Sequence, residues 1–98
     1  MALAVRLYGH KHSIHLLQQT GTRRHVDHIV PARLIRRLRA GNIDRRENLQ
    51  CICGTCHGYK LQADHKLCLG DKLGYLEVLR IHNFDLARVE RALALYDL

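Results

Sequence analysis

His25-Val26-Asp27-His28-Ile29-Val30-Pro31 is the stretch around which this chain of 98 residues is organised. The β-branched residues between Thr22 and Val30 favour a strand. Pro31 cannot extend a β ladder and biases the residue before it toward extended geometry, so the strand is expected to stop at or near His28. Side chains alternate across a strand, so for Asp27 and His28 to serve one site the backbone is expected to turn or bulge there.

The sequence after Pro31 predicts the rest of a ββα unit. In chain order it predicts a connection with one or two helical turns over 31–47, a strand over 48–52, a tight turn at Cys53-x-x-Cys56, and a helix from about His57 to Cys68 or Leu69. On the second strand, Leu49 and Cys51 are expected to face inward.

Two amphipathic helices are predicted beyond Gly70, near Leu73–Ile81 and Asp85–Tyr96. A buried stripe is indicated by three- and four-residue steps between Leu86, Val89, Leu93 and Tyr96. These helices are expected to pack against the core or against a second copy in a homodimer. The predicted fold class is therefore α+β, in one domain 1–98 with a small core over 24–69, an Arg-rich connection and a helical extension over 70–98.

Length and composition limit the class of protein. Ninety-eight residues make one domain with a modest core. No apolar run approaches the roughly 18 residues that cross a bilayer, and the start of the chain is too short and too soon interrupted by Arg6 for a signal peptide. We therefore expect a cytoplasmic protein without a membrane partner, whose cysteines are thiols or zinc ligands rather than disulfides.

The net positive charge is confined to the first half of the chain. Residues 1–49 hold ten Lys and Arg against three acidic residues, which leaves +7, whereas residues 50–98 hold six of each. A localised basic surface is typical of a polyanion binder, since neutralised phosphates release counterions. The arginines expected to contact the polyanion are Arg33, Arg36, Arg37, Arg39, Arg45 and Arg46.

Four polar residues near the predicted strand ends suit phosphodiester hydrolysis. That reaction needs an imidazole that is free to accept a proton from water, at least two ligands for a divalent ion, and a polar group that holds the imidazole in place. Asp27, His28, Asn48 and His57 provide these groups.

These residues resemble the signature of the HNH endonucleases, also called the ββα-metal or His-Me finger nucleases. The similarity covers about 24–64 in three parts that occur in the right order: the His25 to Pro31 stretch, Asn48-Leu49-Gln50, and Cys53-x-x-Cys56-His57-x-x-Lys60. The tail resembles, more weakly, that of small HNH proteins carried by bacteriophages.

The resemblance implies a role for each matching residue. Asp27 and His57 would bind one divalent metal, Mg²⁺ or Mn²⁺, with Ni²⁺ or Zn²⁺ as alternatives. His28 would be the general base that activates water, and Asn48 would hold either the base-bearing loop or His28 itself. Lys60 would face the phosphate or an acid behind the metal ligands. His25, two residues from Asp27, could assist the site.

Cys53 and Cys56 fit half of a tetrahedral zinc site, which takes four protein ligands when it is structural. Many similar proteins supply the other half from a second Cys-x-x-Cys before the first strand, and none occurs here. Three alternatives stay open: ligands from His10, His12 and His15, a fold-back of His65 and Cys68, or no zinc. A straight helix disfavours the fold-back, since it carries Cys68 about 18 Å from Cys56. A partial or absent zinc site is favoured over one built from the N-terminal histidines. If zinc is absent, the terminal helices would hold the Cys-x-x-Cys turn.

The sequence therefore predicts a metal-dependent DNA endonuclease with a ββα-metal core that acts on double-stranded DNA. Two other hypotheses belong to different classes: a DNA-binding zinc module without activity, and an accessory subunit of a phage DNA-processing complex such as a packaging machine. The presence of all four candidate active-site residues favours the enzyme.

Overall fold

The computed structural model describes residues 24–98. In chain order these residues form β1 (Arg24–His28), α1 (Ala32–Leu38), a short 3-10 turn (Arg46–Asn48), β2 (Leu49–Cys53), α2 (Gly54–Cys68), α3 (Lys72–Ile81) and α4 (Leu86–Leu95). This order confirms the predicted α+β class and the ββα unit with an Arg-rich connection and two helices behind it.

The two strands form a regular antiparallel ladder whose register places polar residues inward. Asp27 pairs with Gln50, and His28, the last residue of β1, pairs with Leu49. Cross-strand partners share a face of the sheet, so the buried Asp27 brings Gln50 inward with it. The prediction that Leu49 and Cys51 face inward was therefore wrong, and both are only partly buried.

The connection between the strands contains the short helix α1. Leu34 and Ile35 are on the buried face of this helix, while Arg36 and Arg37 are exposed in its last turn. The helix ends at Arg39, which adopts a left-handed conformation with φ of 53°. The expected one or two helical turns with a basic exposed side are confirmed.

Helix α2 begins at Gly54, three residues before the predicted start near His57. Cys53 is the N-cap and Cys56 lies in the first turn, so the predicted separate Cys-x-x-Cys turn is wrong. The i, i+3 spacing instead places both buried cysteines on the inner side of the helix start. The predicted end at Cys68 or Leu69 before Gly70 is confirmed, and Gly70 has a φ of +87° that suits glycine.

Helices α3 and α4 each begin with an aspartate cap. Asp71 accepts a hydrogen bond from the Gly74 amide at 2.8 Å, and Asp85 accepts one from the Arg88 amide at 3.2 Å. Such caps satisfy amide groups that the first helical turn leaves without partners. The bounds of the two helices confirm both predictions to within a few residues.

The inner faces of α3 and α4 pack against the ββα unit. Tyr75 and Leu79 of α3 are fully buried, and the predicted stripe on α4 is buried at Val89, Leu93 and Tyr96 and half-buried at Leu86. This confirms packing against the core, whereas the homodimer stays a prediction. Among residues 24–98, no helix combines the length and the apolar character needed to span a bilayer.

Candidate active site

A cleft of about 300 Å³ opens at the end of β1. It is lined by Val26, Asp27, His28, Pro31, Ala32, Arg33, His57 and Asp64. The structure thus brings together the two predicted metal ligands and the predicted base. No turn or bulge interrupts the ladder at Asp27 or His28, so that expectation was wrong: the cleft extends past the end of the strand, where side chains from both faces reach it.

Asp27 is held at the base of the cleft by two side chains. Gln50 Nε2 donates a hydrogen bond to Asp27 Oδ2 at 2.9 Å, and Lys60 Nζ lies 3.2 Å from the same oxygen. Within residues 24–98 both contacts use Oδ2, so Oδ1 is the oxygen available to an ion. Gln50 belongs to the Asn48-Leu49-Gln50 segment, and its register opposite Asp27 explains why an amide occurs there.

Lys60 is completely buried and does not face a phosphate. Its Nζ donates to Asp64 Oδ1 at 2.5 Å and to the His28 carbonyl at 2.9 Å, in addition to its contact with Asp27. Of the two contacts predicted for Lys60, the structure shows the one with an acid. Burial in this position excludes direct contact between Lys60 and DNA.

Asp64 is a residue of the cleft that the sequence interpretation missed. It lies one turn after Lys60 on α2, and burial raises its pKa to about 6, although the Lys60 ammonium opposes that shift. The i, i+4 spacing was the available signal, but such pairs usually lie on exposed helix surfaces. Two carboxylates and one ammonium are therefore buried together beside the cleft.

His28 is about one third exposed and contacts a second acid that the sequence interpretation missed. Its Nε2 lies 2.8 Å from Asp44 Oδ1, in the connection between the strands. The partly exposed ring is accessible to water, which a general base requires.

Asn48 is fully buried, and its side chain makes three hydrogen bonds. Its Oδ1 accepts from the Val30 amide at 2.7 Å, and its Nδ2 donates to the carbonyls of Val30 and Ile43, each at 3.1 Å. Asn48 thus holds the segment that follows His28, and does so through the backbone rather than through the imidazole.

His57 lies in the first turns of α2 and stacks against His25. The two ring centroids are 4.6 Å apart and the planes are nearly parallel, at 8°. His25 is two residues from Asp27 and shares its face of β1. The contact restricts the orientation of the His57 ring, which explains how His25 could assist the site.

Asp27 and His57 suit one divalent ion. A carboxylate oxygen is an ordinary ligand of Mg²⁺ and Mn²⁺, and an imidazole nitrogen is an ordinary ligand of Zn²⁺ and Ni²⁺. Mg²⁺ usually keeps several water ligands. Within residues 24–98 no group of three or more His, Cys, Asp or Glu side chains is placed to hold a metal. Asp27 and His57 line the same cleft and have the donor chemistry that such an ion would need.

The cysteine pair is separate from this cleft. Cys53 and Cys56 are buried at the start of α2, whereas Cys68 lies at the other end of the same helix. Cys68 Sγ accepts a hydrogen bond from Arg33 at 3.2 Å. The continuous helix contradicts the fold-back of His65 and Cys68 as zinc ligands, and the N-terminal histidines at 10, 12 and 15 lie outside the described residues.

All six predicted DNA-binding arginines are exposed. Arg33 lines the cleft, and Arg37 donates to the Cys68 carbonyl at 2.8 Å. The hydrogen bonds of Arg33 and Arg37 to Cys68 join α1 to the end of α2 and fix the orientation of the two guanidinium groups.

The fold combines a ββα core with a cleft that the predicted base and the two predicted metal ligands line together. The family model of the HNH endonuclease matches residues 10–62, more than half of the chain. This chain therefore belongs to the HNH endonuclease family, whose members are nucleases that generally use a divalent metal and act on DNA. Comparisons with curated proteins and with solved structures found no match. The likeness to bacteriophage proteins stays a prediction.

Proposed function

We propose that this protein is a metal-dependent DNA endonuclease that hydrolyses phosphodiester bonds with His28 as the general base. The observation that carries the proposal is the cleft at the end of β1, which Asp27, His28 and His57 line together. It combines a solvent-accessible imidazole with two metal ligands beside a basic connection.

His28 accepts the proton of the attacking water. A neutral imidazole is a suitable base near neutral pH provided that the nitrogen it uses does not bind the metal. Asn48 keeps the following segment in place through Val30, and Lys60 fixes the His28 carbonyl. These contacts stabilise the backbone at the base and in the segment that follows it.

Asp27 and His57 hold the divalent ion, with Mg²⁺ or Mn²⁺ as the first choice and Ni²⁺ or Zn²⁺ as alternatives. When bound, the ion supplies positive charge that stabilises the phosphorane and the departing oxygen. Gln50 and Lys60 orient the Asp27 carboxylate, and His25 orients the His57 ring. Lys60 is therefore a positioning residue in this proposal, and by resemblance the products carry 5′-phosphate and 3′-hydroxyl ends.

The arginines bind the DNA backbone near the cleft. They are Arg33, Arg36, Arg37, Arg39, Arg45 and Arg46, all exposed. Contacts with phosphates position a protein without conveying sequence information, so the sequence preference of this domain is weak.

Nicking of supercoiled plasmid tests the proposal. With Mg²⁺ or Mn²⁺, wild-type protein converts the plasmid to the open circle, and chelation stops the reaction. His28→Ala lowers the rate by about a hundredfold or more, because the base is lost. His65→Ala, which removes an exposed histidine of α2, cuts at the wild-type rate. Cleavage by His28→Ala at the parental rate would overturn the proposal, as would DNA binding without cleavage under any divalent ion, the result expected of a non-catalytic module.

A further inference from the structure

From the contact between Asp44 and His28, we infer that Asp44 is a positioning residue for the general base. It fixes the imidazole in the tautomer that carries its proton on Nε2, so that Nδ1 accepts the proton of the attacking water. This inference rests on the proposed nuclease function.

The tautomer follows from the chemistry of the two groups in contact. Asp44 Oδ1 lies 2.8 Å from His28 Nε2, a hydrogen-bond distance. An ionised carboxylate can only accept hydrogen bonds, and a neutral imidazole has one donor and one acceptor nitrogen. Nε2 must therefore be the donor, and Nδ1 holds the lone pair that can receive a proton.

The loop that presents Asp44 is anchored from several directions. Asn42 Oδ1 accepts from the Asp44 amide at 3.0 Å, and the Tyr96 hydroxyl after α4 donates to the Asn42 carbonyl at 2.7 Å. Gly41, with a φ of +121°, allows the turn that begins the loop. Asp44 thus projects from a backbone whose position is set by other parts of the fold.

Asn48 connects this loop to the segment that follows the base. Its amide nitrogen donates both to the Ile43 carbonyl, next to Asp44, and to the Val30 carbonyl, two residues from His28. One buried side chain therefore fixes the distance between the two backbones that carry the acid and the imidazole.

Because the Asp44–His28 pair is partly exposed, experiment can distinguish a positioning role for the contact from a structural one. The side chain of Asp44 is 75 % exposed, and contacts of this kind contribute little to folding stability. Loss of the carboxylate should therefore leave the protein folded and alter turnover alone. If the contact had only a structural role, its loss would lower the free energy of unfolding and leave the turnover of the folded protein unchanged.

The kinetic test compares Asp44→Asn with Glu47→Gln. Both remove one negative charge from the same connection, and Glu47 is exposed, so any general effect of charge on DNA binding appears in both variants. We expect Asp44→Asn to lower kcat by about ten- to a hundredfold with KM within about twofold of the Glu47→Gln value, because the amide can donate to Nε2 and reverse the tautomer. Equal kcat values for the two variants, with both proteins folded, would overturn the inference.

A second readout does not require cleavage. Long-range ¹H–¹⁵N NMR spectra of the His28 ring, recorded near pH 8 where a free imidazole is neutral, should show the Nε2–H tautomer in wild-type and Glu47→Gln protein and a changed tautomer in Asp44→Asn. Tyr96→Phe, which releases the loop, should lower kcat by a smaller factor than Asp44→Asn. Unchanged ring spectra in Asp44→Asn would contradict the inference.

The two proposals fail in different ways. If His28→Ala is inactive while Asp44→Asn behaves as Glu47→Gln does, only the role of Asp44 is wrong. If His28→Ala cleaves normally, the nuclease mechanism is wrong, and the NMR spectra still decide whether Asp44 sets the tautomer.

Discussion

At the scale of single residues, the buried charges around Lys60 determine much of the electrostatic character of the cleft. The Asp27 and Asp64 carboxylates share one fully buried ammonium, which lies closer to Asp64. Removing a charge from such a cluster is costly because its partner is left buried without compensation. Two acids and one ammonium give this buried cluster one net negative charge at neutral pH, and the exposed guanidinium of Arg33 lines the same cleft.

The sequence predicted the residues whose spacing forms a motif and missed those that meet only in three dimensions. Asp27, His28 and His57 were expected to converge, and they line one cleft. Asp44 lies sixteen residues from His28, so no local pattern relates the two. Asp64 follows Lys60 at a spacing that is common on exposed helices, and its burial became evident only from the packing of α2.

The raised pKa of Asp64 predicts a pH dependence of stability. The folded protein keeps this proton up to about pH 6, whereas the ordinary value for the unfolded chain is 3.8. The stabilisation is therefore complete below pH 3.8 and is lost as pH rises through about 6. The contribution is on the order of 2 to 3 kcal/mol.

Urea unfolding of wild-type and Asp64→Asn protein across this range measures the effect. The difference in free energy of unfolding between the two should change steeply between about pH 4 and 6. Glu90→Gln, at an exposed acid of α4, controls for the loss of one negative charge. A difference that stays constant with pH would show that Asp64 titrates normally.

At the scale of the elements, hydrophobic periodicity predicted the helices correctly, but it did not predict which side chains of the second strand face inward. The three- and four-residue steps of α4 specify a buried stripe directly. In β2 the polar Gln50 faces inward because Asp27 lies opposite it, and a hydrophobic pattern does not predict that. The start of α2 was predicted too late because Cys53-x-x-Cys56 was interpreted as a separate turn.

The C-terminal helices are attached to the ββα unit by long polar side chains as well as by apolar packing. The Tyr75 hydroxyl donates to the Ile29 carbonyl at 2.7 Å, and Arg88 Nη2 donates to the Leu49 carbonyl at 2.9 Å. Both acceptors lie next to strand ends that carry site residues. The terminal helices therefore stabilise the backbone at the cleft, which their hydrophobic patterns alone could not indicate.

Tyr75→Phe is expected to lower the free energy of unfolding by about 1 to 3 kcal/mol, because it leaves a buried carbonyl without its donor. Burial also raises the pKa of Tyr75, so its hydroxyl stays protonated and able to donate at neutral pH. Chemical denaturation measures the change. Tyr59→Phe is the control, since within residues 24–98 the Tyr59 ring stacks on His82 and its hydroxyl makes no such bond. Equal stability of the two variants would show that the contact with Ile29 is unimportant.

At the scale of the whole molecule, the net positive charge of the protein lies in the first half of the chain. Among residues 24–98, the connection between the strands carries most of the exposed arginines, and the charges beyond residue 49 sum to zero. The sequence predicted this distribution because charge needs no fold to be counted. It could not predict that Arg33 and Arg37 are fixed against the end of α2.

Arg36→Gln should weaken DNA binding and reduce the slope of log affinity against log salt by about 1, the change expected for one lost phosphate contact. Arg91→Gln, at an exposed arginine of α4 in the balanced half, should leave the slope unchanged. Fluorescence anisotropy of a labelled duplex at several salt concentrations measures both. Identical slopes for the two variants would remove Arg36 from the DNA-binding surface.

Calorimetric titration with Mn²⁺ is the most direct test of the central claim, that Asp27 and His57 share one ion beside an imidazole that is not a ligand. Wild-type and His28→Ala protein should bind with the same affinity, while Asp27→Asn and His57→Ala should each lose about tenfold or more. His65→Ala should bind as wild type does. Loss of binding in His28→Ala, or unchanged binding in both Asp27→Asn and His57→Ala, would contradict the account.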